Sequence, residues 1–421
     1  MAFYQKDFGV ANPSPYERSD YVQIDLDKLQ VPAELDEKSL TLYQLNTNNE
    51  KQEILFQIDY PFGRDVGSRV MTFLSAQTPP VRDDYSEKAA TFLLEAKNPK
   101  QVPAQQNLKV GHYYSIPKRG EPEDGFNLEW DISRQVKGVK LFNGTFEIYF
   151  ELLSSSSRGD LSYAGSATST LLPIMKNVIG IGEILSPYHY KEHPEKLWGQ
   201  LRELVFYPLP WEHKQFYRIK FPDEKQEYEI IWSKSGPVRA IVTLKSEPMT
   251  ISYDGRPFFN DKRKITVYLY RVIYVYPNQN LPYYVEELYA LTDKEKKFLS
   301  FRPYYFSKVP PAQPIPKLEM VEQIPNYFTV WKNFGPLLYF GYGFAADVHI
   351  RWVKIKGDEI YWRLPLNQNC RCVHYFMFEQ SSHFNPFHII GHSGWYEKIF
   401  KPLKPFDLSL SFPPPLVEDE V

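Results

Sequence analysis

Polar and apolar residues alternate with a period of two through most of this chain. From Tyr21 it reads Tyr-Val-Gln-Ile-Asp-Leu, and the segment after Gly236-Pro237 sets Val238, Ala240 and Val242 against Arg239, Ile241 and Thr243. Side chains of a strand point to alternate faces, so this spacing predicts strands half-buried on a core. Leu40–Leu45 and Glu53–Tyr60 flank the asparagine-rich Asn46-Thr-Asn-Asn-Glu-Lys, which predicts a hairpin. The strands continue at Val70–Leu74 and Ala90–Glu95, and Phe142-Asn-Gly-Thr leads from a turn into another. Lys264–Tyr276 and Tyr283–Leu291 read as long strands joined through Pro277–Pro282, and Ile230–Glu247 as two strands joined at Ser235-Gly236-Pro237. Only Pro194–Leu204 carries a helical spacing, with Leu197, Leu201 and Leu204.

The expected fold class is all-β with few short helices. A small N-terminal β-barrel or sandwich occupies residues 1–120, and a large antiparallel β-sandwich, supersandwich-like, occupies residues 121–421. Pro13 and Pro15 make residues 1–18 an extended lead-in, and Pro103–Pro122 reads as a linker. No fixed-period repeat is visible.

Composition sharpens this picture. The 29 Phe, 31 Tyr and 8 Trp suit pleated, half-buried surfaces, and 35 prolines suit many turns and edge positions. A net charge of −2 supplies no global field for nucleic acid or an anionic membrane. Cys370 and Cys372 are the only cysteines, so no disulfide framework is expected, and both are expected reduced and buried. Met-Ala-Phe-Tyr-Gln-Lys lacks the apolar stretch of a secretory leader, and no run is long enough for a bilayer-spanning helix. The chain as written reads as cytoplasmic, and as secreted if a leader has been removed.

Two regions together resemble polysaccharide-lyase-like proteins of the exo-rhamnogalacturonan lyase type. The first runs from Asn12-Pro-Ser-Pro-Tyr-Glu-Arg through Val22-Gln-Ile-Asp-Leu and Leu40-Thr-Leu-Tyr to Phe56-Gln-Ile-Asp, and is similar to the small RIFT barrel module. The second, Ser235-Gly-Pro-Val-Arg-Ala, is similar to the start of a supersandwich strand. The resemblance implies the architecture and a poly- or oligosaccharide ligand. It transfers no catalytic residue, and the helical toroid of such lyases has no room in this chain.

A uronide lyase needs a carboxylate neutraliser, a base and an acid. For base the candidates are His189, in Tyr188-His-Tyr-Lys-Glu-His193, and His112, in Gly111-His-Tyr-Tyr114. Tyr190 or Tyr163 would serve as acid, and Arg239 or Arg218 as neutraliser. The loop Gly159–Thr170 offers Asp160 and Tyr163 to sugar hydroxyls, while Trp198, Trp211, Tyr283 and Trp395 offer stacking platforms. The plainer reading of each is loop or core.

A hydrolase would need two carboxyls across one cleft. Glu286 and Glu287 are adjacent in a strand and must face opposite ways; each reads as a solvent-facing charge. His383, His388 and His392, like Cys370, Cys372 and His374, lack metal-ligand spacing, so no metal or cofactor is expected. The rival reading is a non-catalytic β scaffold that binds a protein partner or a glycan through aromatic and proline-rich surface.

Overall fold

The computed structural model describes residues 4–63, 69–81, 89–97, 108–113, 138–142, 147–151, 167–168, 200–206, 217–220, 228–246, 248–251, 265–277, 283–292, 301–308, 319–335, 338–357, 359–365, 369–379 and 401–408. Among them there is no helix, and every strand pairing is antiparallel. The chain divides into two units. The first gathers residues 1–106, the short segment Gly236–Arg239 and Ser393–Val421; the second gathers Asn107–Ser235 and Ala240–His392.

The first unit begins with β1 (Gln5–Ala11), β2 (Arg18–Asp25), β3 (Leu40–Leu45), β4 (Lys51–Ile54), β5 (Phe56–Asp59), β6 (Val70–Thr78) and β7 (Ala90–Ala96). The second unit follows with β8 (Lys109–Tyr113), β9 (Gly138–Phe142), β10 (Glu147–Glu151), β11 (Ala167–Thr168), β12 (Gln200–Phe206), β13 (Tyr217–Lys220), β14 (Tyr228–Ser235), β15 (Ala240–Ser246) and β16 (Met249–Ile251). It continues with β17 (Ile265–Val275), β18 (Tyr283–Thr292), β19 (Phe301–Lys308), β20 (Glu319–Ile324), β21 (Tyr327–Gly335), β22 (Leu338–Ala346), β23 (Trp352–Lys356), β24 (Glu359–Arg363) and β25 (Asn369–Glu379). The last strand, β26 (Lys404–Asp407), belongs to the first unit.

In the first unit a five-stranded sheet, β26-β1-β7-β3-β4, and a three-stranded sheet, β2-β6-β5, share one core. Alternation decides which residues enter it: β2 buries Val22 and Ile24 while its neighbours Tyr21 and Gln23 are only half-buried. Phe8, Phe73 and Phe92 meet at its centre, with ring centroids 4.9–5.9 Å apart. Each is fully buried, and burial of one such ring contributes about 1.5–3 kcal/mol.

The hairpin expected at Asn46 is present: β3 pairs with β4, and the Asn46 carboxamide oxygen accepts the N–H groups of Asn48 and Glu50. Asn49 then adopts a φ of 60°, a left-handed conformation that asparagine tolerates. The lead-in corrects the sequence reading, because β1 lies between β26 and β7 inside the sheet. Phe8 and Val10 draw it there, and the prolines take effect only after Ala11.

The two stretches that carried the resemblance meet in this unit. Gln57 Oε1 accepts the backbone N–H groups of Val238 (3.2 Å) and Arg239 (3.0 Å), and Gln57 Nε2 donates to Asp59. Asp59 Oδ2 in turn takes two guanidinium contacts from Arg239, at 2.7 and 2.8 Å. Gly236 is required by this approach, since a Cβ there would overlap the Gln57 carboxamide.

In the second unit the sheets are β11-β10-β9-β8, β13-β12-β19-β24-β23, and a large one ordered β14-β15-β17-β18-β25-β22-β21-β20 with β16 beside β17. The long strands read from the sequence are β17 and β18, in register from Val267 opposite Thr292 to Tyr274 opposite Val285. Trp362 of β24 lies against Phe328 and Phe344 of the large sheet, at 5.2 and 5.1 Å, so these two sheets pack face to face there.

Two sequence expectations change here. The expected linker contains β8, whose Leu108 and Val110 flank are buried and whose Val110 N–H donates to Ser235 Oγ. The helix expected at Pro194–Leu204 is contradicted from Gln200 onward by β12. A bulge between Leu201 and Glu203 inserts one residue, so Leu201 stands opposite Tyr305 and Leu204 opposite Pro303. That insertion brings a three-residue spacing to one side of a ladder, which is why it imitates helical periodicity.

Candidate functional site

Strands β17, β18 and β25 carry charged residues on both faces of the large sheet, and the two faces differ. Glu286 stands opposite Ile273 and Cys372, which places it on the same face as Arg271 and His374; Glu287 faces the other way with Tyr274 and Arg371.

On the first face Arg271, Glu286 and His374 are 0–1% exposed. Arg271 Nε donates to Glu286 Oε1 at 2.5 Å, and its Nη2 forms an ion pair with the same oxygen. His374 Nε2 lies 3.2 Å from Glu286 Oε2, and the imidazole stacks on the Tyr284 ring at 4.6 Å and 4°. Burial works against the Glu286 charge, but Arg271 and His374 outweigh it and hold the carboxyl below the ordinary carboxylate range. Burial holds His374 below the usual imidazole value despite the carboxylate beside it. The resulting arrangement is a neutral imidazole donating to a carboxylate whose charge Arg271 answers. Covered by Phe344, which touches the imidazole edge-on at 5.0 Å and is backed by Trp362, it ties three neighbouring strands of the large sheet together and is closed to a ligand.

The second face is only partly accessible: Tyr274 and Tyr276 are buried, Glu287, Tyr289 and Arg371 are half-buried, and Asp347 and Asn369 are exposed. Glu287 is half-buried and accepts from two phenols: Tyr274 Oη at 2.6 Å and Tyr289 Oη at 2.7 Å. Tyr289 is held well above the usual phenol value, first by burial and then by the Glu287 charge. Arg371, half-buried, is ringed by Tyr274, Glu287, Asp347 and Tyr276, whose combined field raises it further against the effect of burial. Asp347 and Arg371 exchange two backbone-level bonds, Asp347 N–H to the Arg371 carbonyl and Arg371 N–H to Asp347 Oδ1, both 3.0 Å. Asp347 is exposed as a residue, yet enclosure of its carboxyl end, with Glu287 adding repulsion, pushes it up to about 6 against the pull of Arg371. Tyr274 and Tyr276 meet edge-to-face at 5.4 Å, and exposed Asn369 borders Tyr289.

This face therefore sets carboxyls, a guanidinium and a carboxamide among tyrosine rings. Such groups orient a polyhydroxylated ligand through paired donors and acceptors. Among the described residues no group of three or more His, Cys, Asp and Glu could hold a metal ion.

The residues that stand out in the sequence fall elsewhere. Arg239 is 1% exposed and its charge is committed to Asp59 within the first unit, so it is not free to neutralise a substrate carboxylate. His112 lies on β8 opposite Val139, Arg218 on β13 opposite Val205, and Tyr283 on β18 opposite Tyr375. These positions belong to three different sheets. His189, Tyr190, Asp160, Tyr163, Trp198, Trp211 and Trp395 lie outside the described residues, as do His383, His388 and His392.

Glu286 corrects the reading of a solvent-facing charge, because it is fully buried in an ion pair. The sequence does carry a signal for it: Arg271 interrupts an apolar run in β17, and a charge in such a strand demands a partner on the neighbouring one. The cysteines lie as expected, buried, free and with Sγ atoms 4.0 Å apart.

No protein-family model matches the sequence, and no curated protein matches it. Among solved structures the chain is similar to an alpha-mannosidase from Enterococcus faecalis V583, with a TM-score of 0.42 and 9% identity over 96% of this chain and 46% of that one. It is similar too to a protein in the glycosyl hydrolase family 38 from Enterococcus faecalis, with a TM-score of 0.41 and 10% identity over 96% of this chain and 47% of that one. The chain thus spans under half the length of either. The similarity is distant, and neither protein is described as a polysaccharide lyase.

Proposed function

We propose that this chain binds a poly- or oligosaccharide, and that the binding face is the partly accessible patch of the large sheet around Glu287. The observation that supports it is the half-buried Glu287 carboxylate, which takes two tyrosine hydroxyls beside Arg371 and Asp347. In a plain structural cluster these charges would be sealed, as Arg271, Glu286 and His374 are on the opposite face. Left half-buried, they offer directional hydrogen bonds beside the half-buried Tyr289 ring, the chemistry that distinguishes one sugar from another.

Cleavage of the bound glycan is a further step of the same reading, with β-elimination as the expected route. The test is incubation with acidic and neutral polysaccharides while ultraviolet absorbance and reducing ends are followed together. A rise in both marks β-elimination, because that reaction creates a conjugated double bond. Reducing ends alone mark hydrolysis. Binding without either signal leaves a carbohydrate-binding protein, and neither binding nor turnover across the panel favours the scaffold that binds a protein partner.

A further inference from the structure

The hairpin of β23 and β24 presents a second surface that the Glu287 face does not use. Trp362 and Ile360 are fully buried, and Val353 and Ile355 stand opposite them in register, so this set faces inward. The alternate set faces out: Trp352, Lys354 and Lys356 on β23, with Tyr361 and Arg363 beside them on β24. Trp352 is 36% exposed, the two lysines and the preceding Arg351 are exposed, and Tyr361 and Arg363 are half-buried. Arg363 Nε is shielded from water and has no hydrogen-bond partner among the described residues. The acidic residues in this stretch of sequence are Asp358 and Glu359, the latter opposite Lys356. β23 is also the last strand of its sheet among the described residues.

From this juxtaposition we infer that the outer face of β23 and β24 is a binding surface for an acidic glycan, a chain of sugars bearing carboxylates. The inference names the ligand class within the carbohydrate reading and rests on it. Lys354 and Lys356 lie two residues apart on β23, about 6.8 Å, and Arg363 adds one cation on β24, opposite Trp352 about 4.8 Å away. A short cationic strip of this kind meets carboxylates repeated along a polymer. Arg363 supplies a planar fork for a carboxylate, and Trp352 supplies an exposed ring for a sugar face. Charge complementarity favours a glycan over nucleic acid. Four cations on a chain of net charge −2 make a local strip and not the extended basic field that phosphate backbones require.

The test titrates tetragalacturonate, a neutral tetrasaccharide and single-stranded DNA into the full chain and into two variants, K354E/K356E and W352A. Both alter exposed positions, and thermal unfolding verifies that each variant folds. The expected result is saturable, salt-sensitive binding of tetragalacturonate, weakened about tenfold or more by the charge reversal and also reduced by W352A. Neutral binding at the Glu287 face stays unchanged in both variants. If tetragalacturonate binds K354E/K356E as well as the unmodified chain, the inference falls while the carbohydrate reading stands. If neither sugar binds, both fall. Tighter binding of DNA than of tetragalacturonate overturns the inference in favour of nucleic acid.

Discussion

At the scale of single residues, Glu286 and Glu287 show how one peptide bond separates two kinds of chemistry. Glu286 is tied to Arg271 and His374 in a sealed layer. Removing its charge by Glu286→Gln strands a buried guanidinium, and is expected to cost about 3–5 kcal/mol by urea unfolding. His374 gives this layer a pH dependence. Its folded value lies below the ordinary 6.5, so protons bind the unfolded chain first as pH falls. Its contribution to stability is complete above 6.5 and is lost as pH drops through the lower folded value. Unfolding midpoints measured across that window should fall with pH in the unmodified chain and flatten in His374→Gln. Asp347 behaves in the opposite sense. Its folded value is raised from 3.8 to about 6, so its favourable contribution holds below 3.8 and is lost as pH rises through about 6. Glycan binding at the Glu287 face should accordingly change around pH 6, and Asp347→Asn should remove that step when affinity is measured against pH.

At the scale of elements, strands are placed by alternation and adjusted by single glycines and bulges. Gly9 lets β1 approach the Phe406 ring of β26, and a Cβ there would overlap it. Gly9→Ala and Gly236→Ala are each expected to destabilise the first unit by about 1–3 kcal/mol, read from the denaturant midpoint at unchanged slope. Alternation makes β2 legible in the sequence, because one of its faces must meet a core, whereas β3, β15 and β17 are legible as β-branched and aromatic runs that the structure buries on both faces. It misleads at β12, where a bulge turns strand spacing into apparent helix spacing, and at β1, where nearby prolines hide a strand that Phe8 and Val10 anchor.

At the scale of the whole molecule, what stays illegible is what depends on long sequence separation. The segment Gly236–Arg239 and strand β26 join a unit built mostly from the first hundred residues, through contacts such as Asp59 with Arg239 and Lys6 with Asp407. Nothing local announces such partners. The Glu287 face has the same origin: Tyr274, Glu287, Asp347 and Arg371 come from separate strands and from the bend after β22, and only the sheet order brings them together. Histidines and loop tryptophans stand out in the sequence because they are chemically conspicuous. Tyrosines and paired charges inside regular strands do not, although strands hold side chains more rigidly than loops do.

The most direct test of a carbohydrate-binding face is calorimetric titration of neutral and acidic oligosaccharides into the unmodified chain and into Glu287→Gln, whose fold is verified by its unfolding curve. The expected result is saturable binding of at least one sugar, with affinity reduced about tenfold or more in the variant. Equal affinity in the two proteins would contradict the placement of the site, and silence across the whole panel would contradict the function itself.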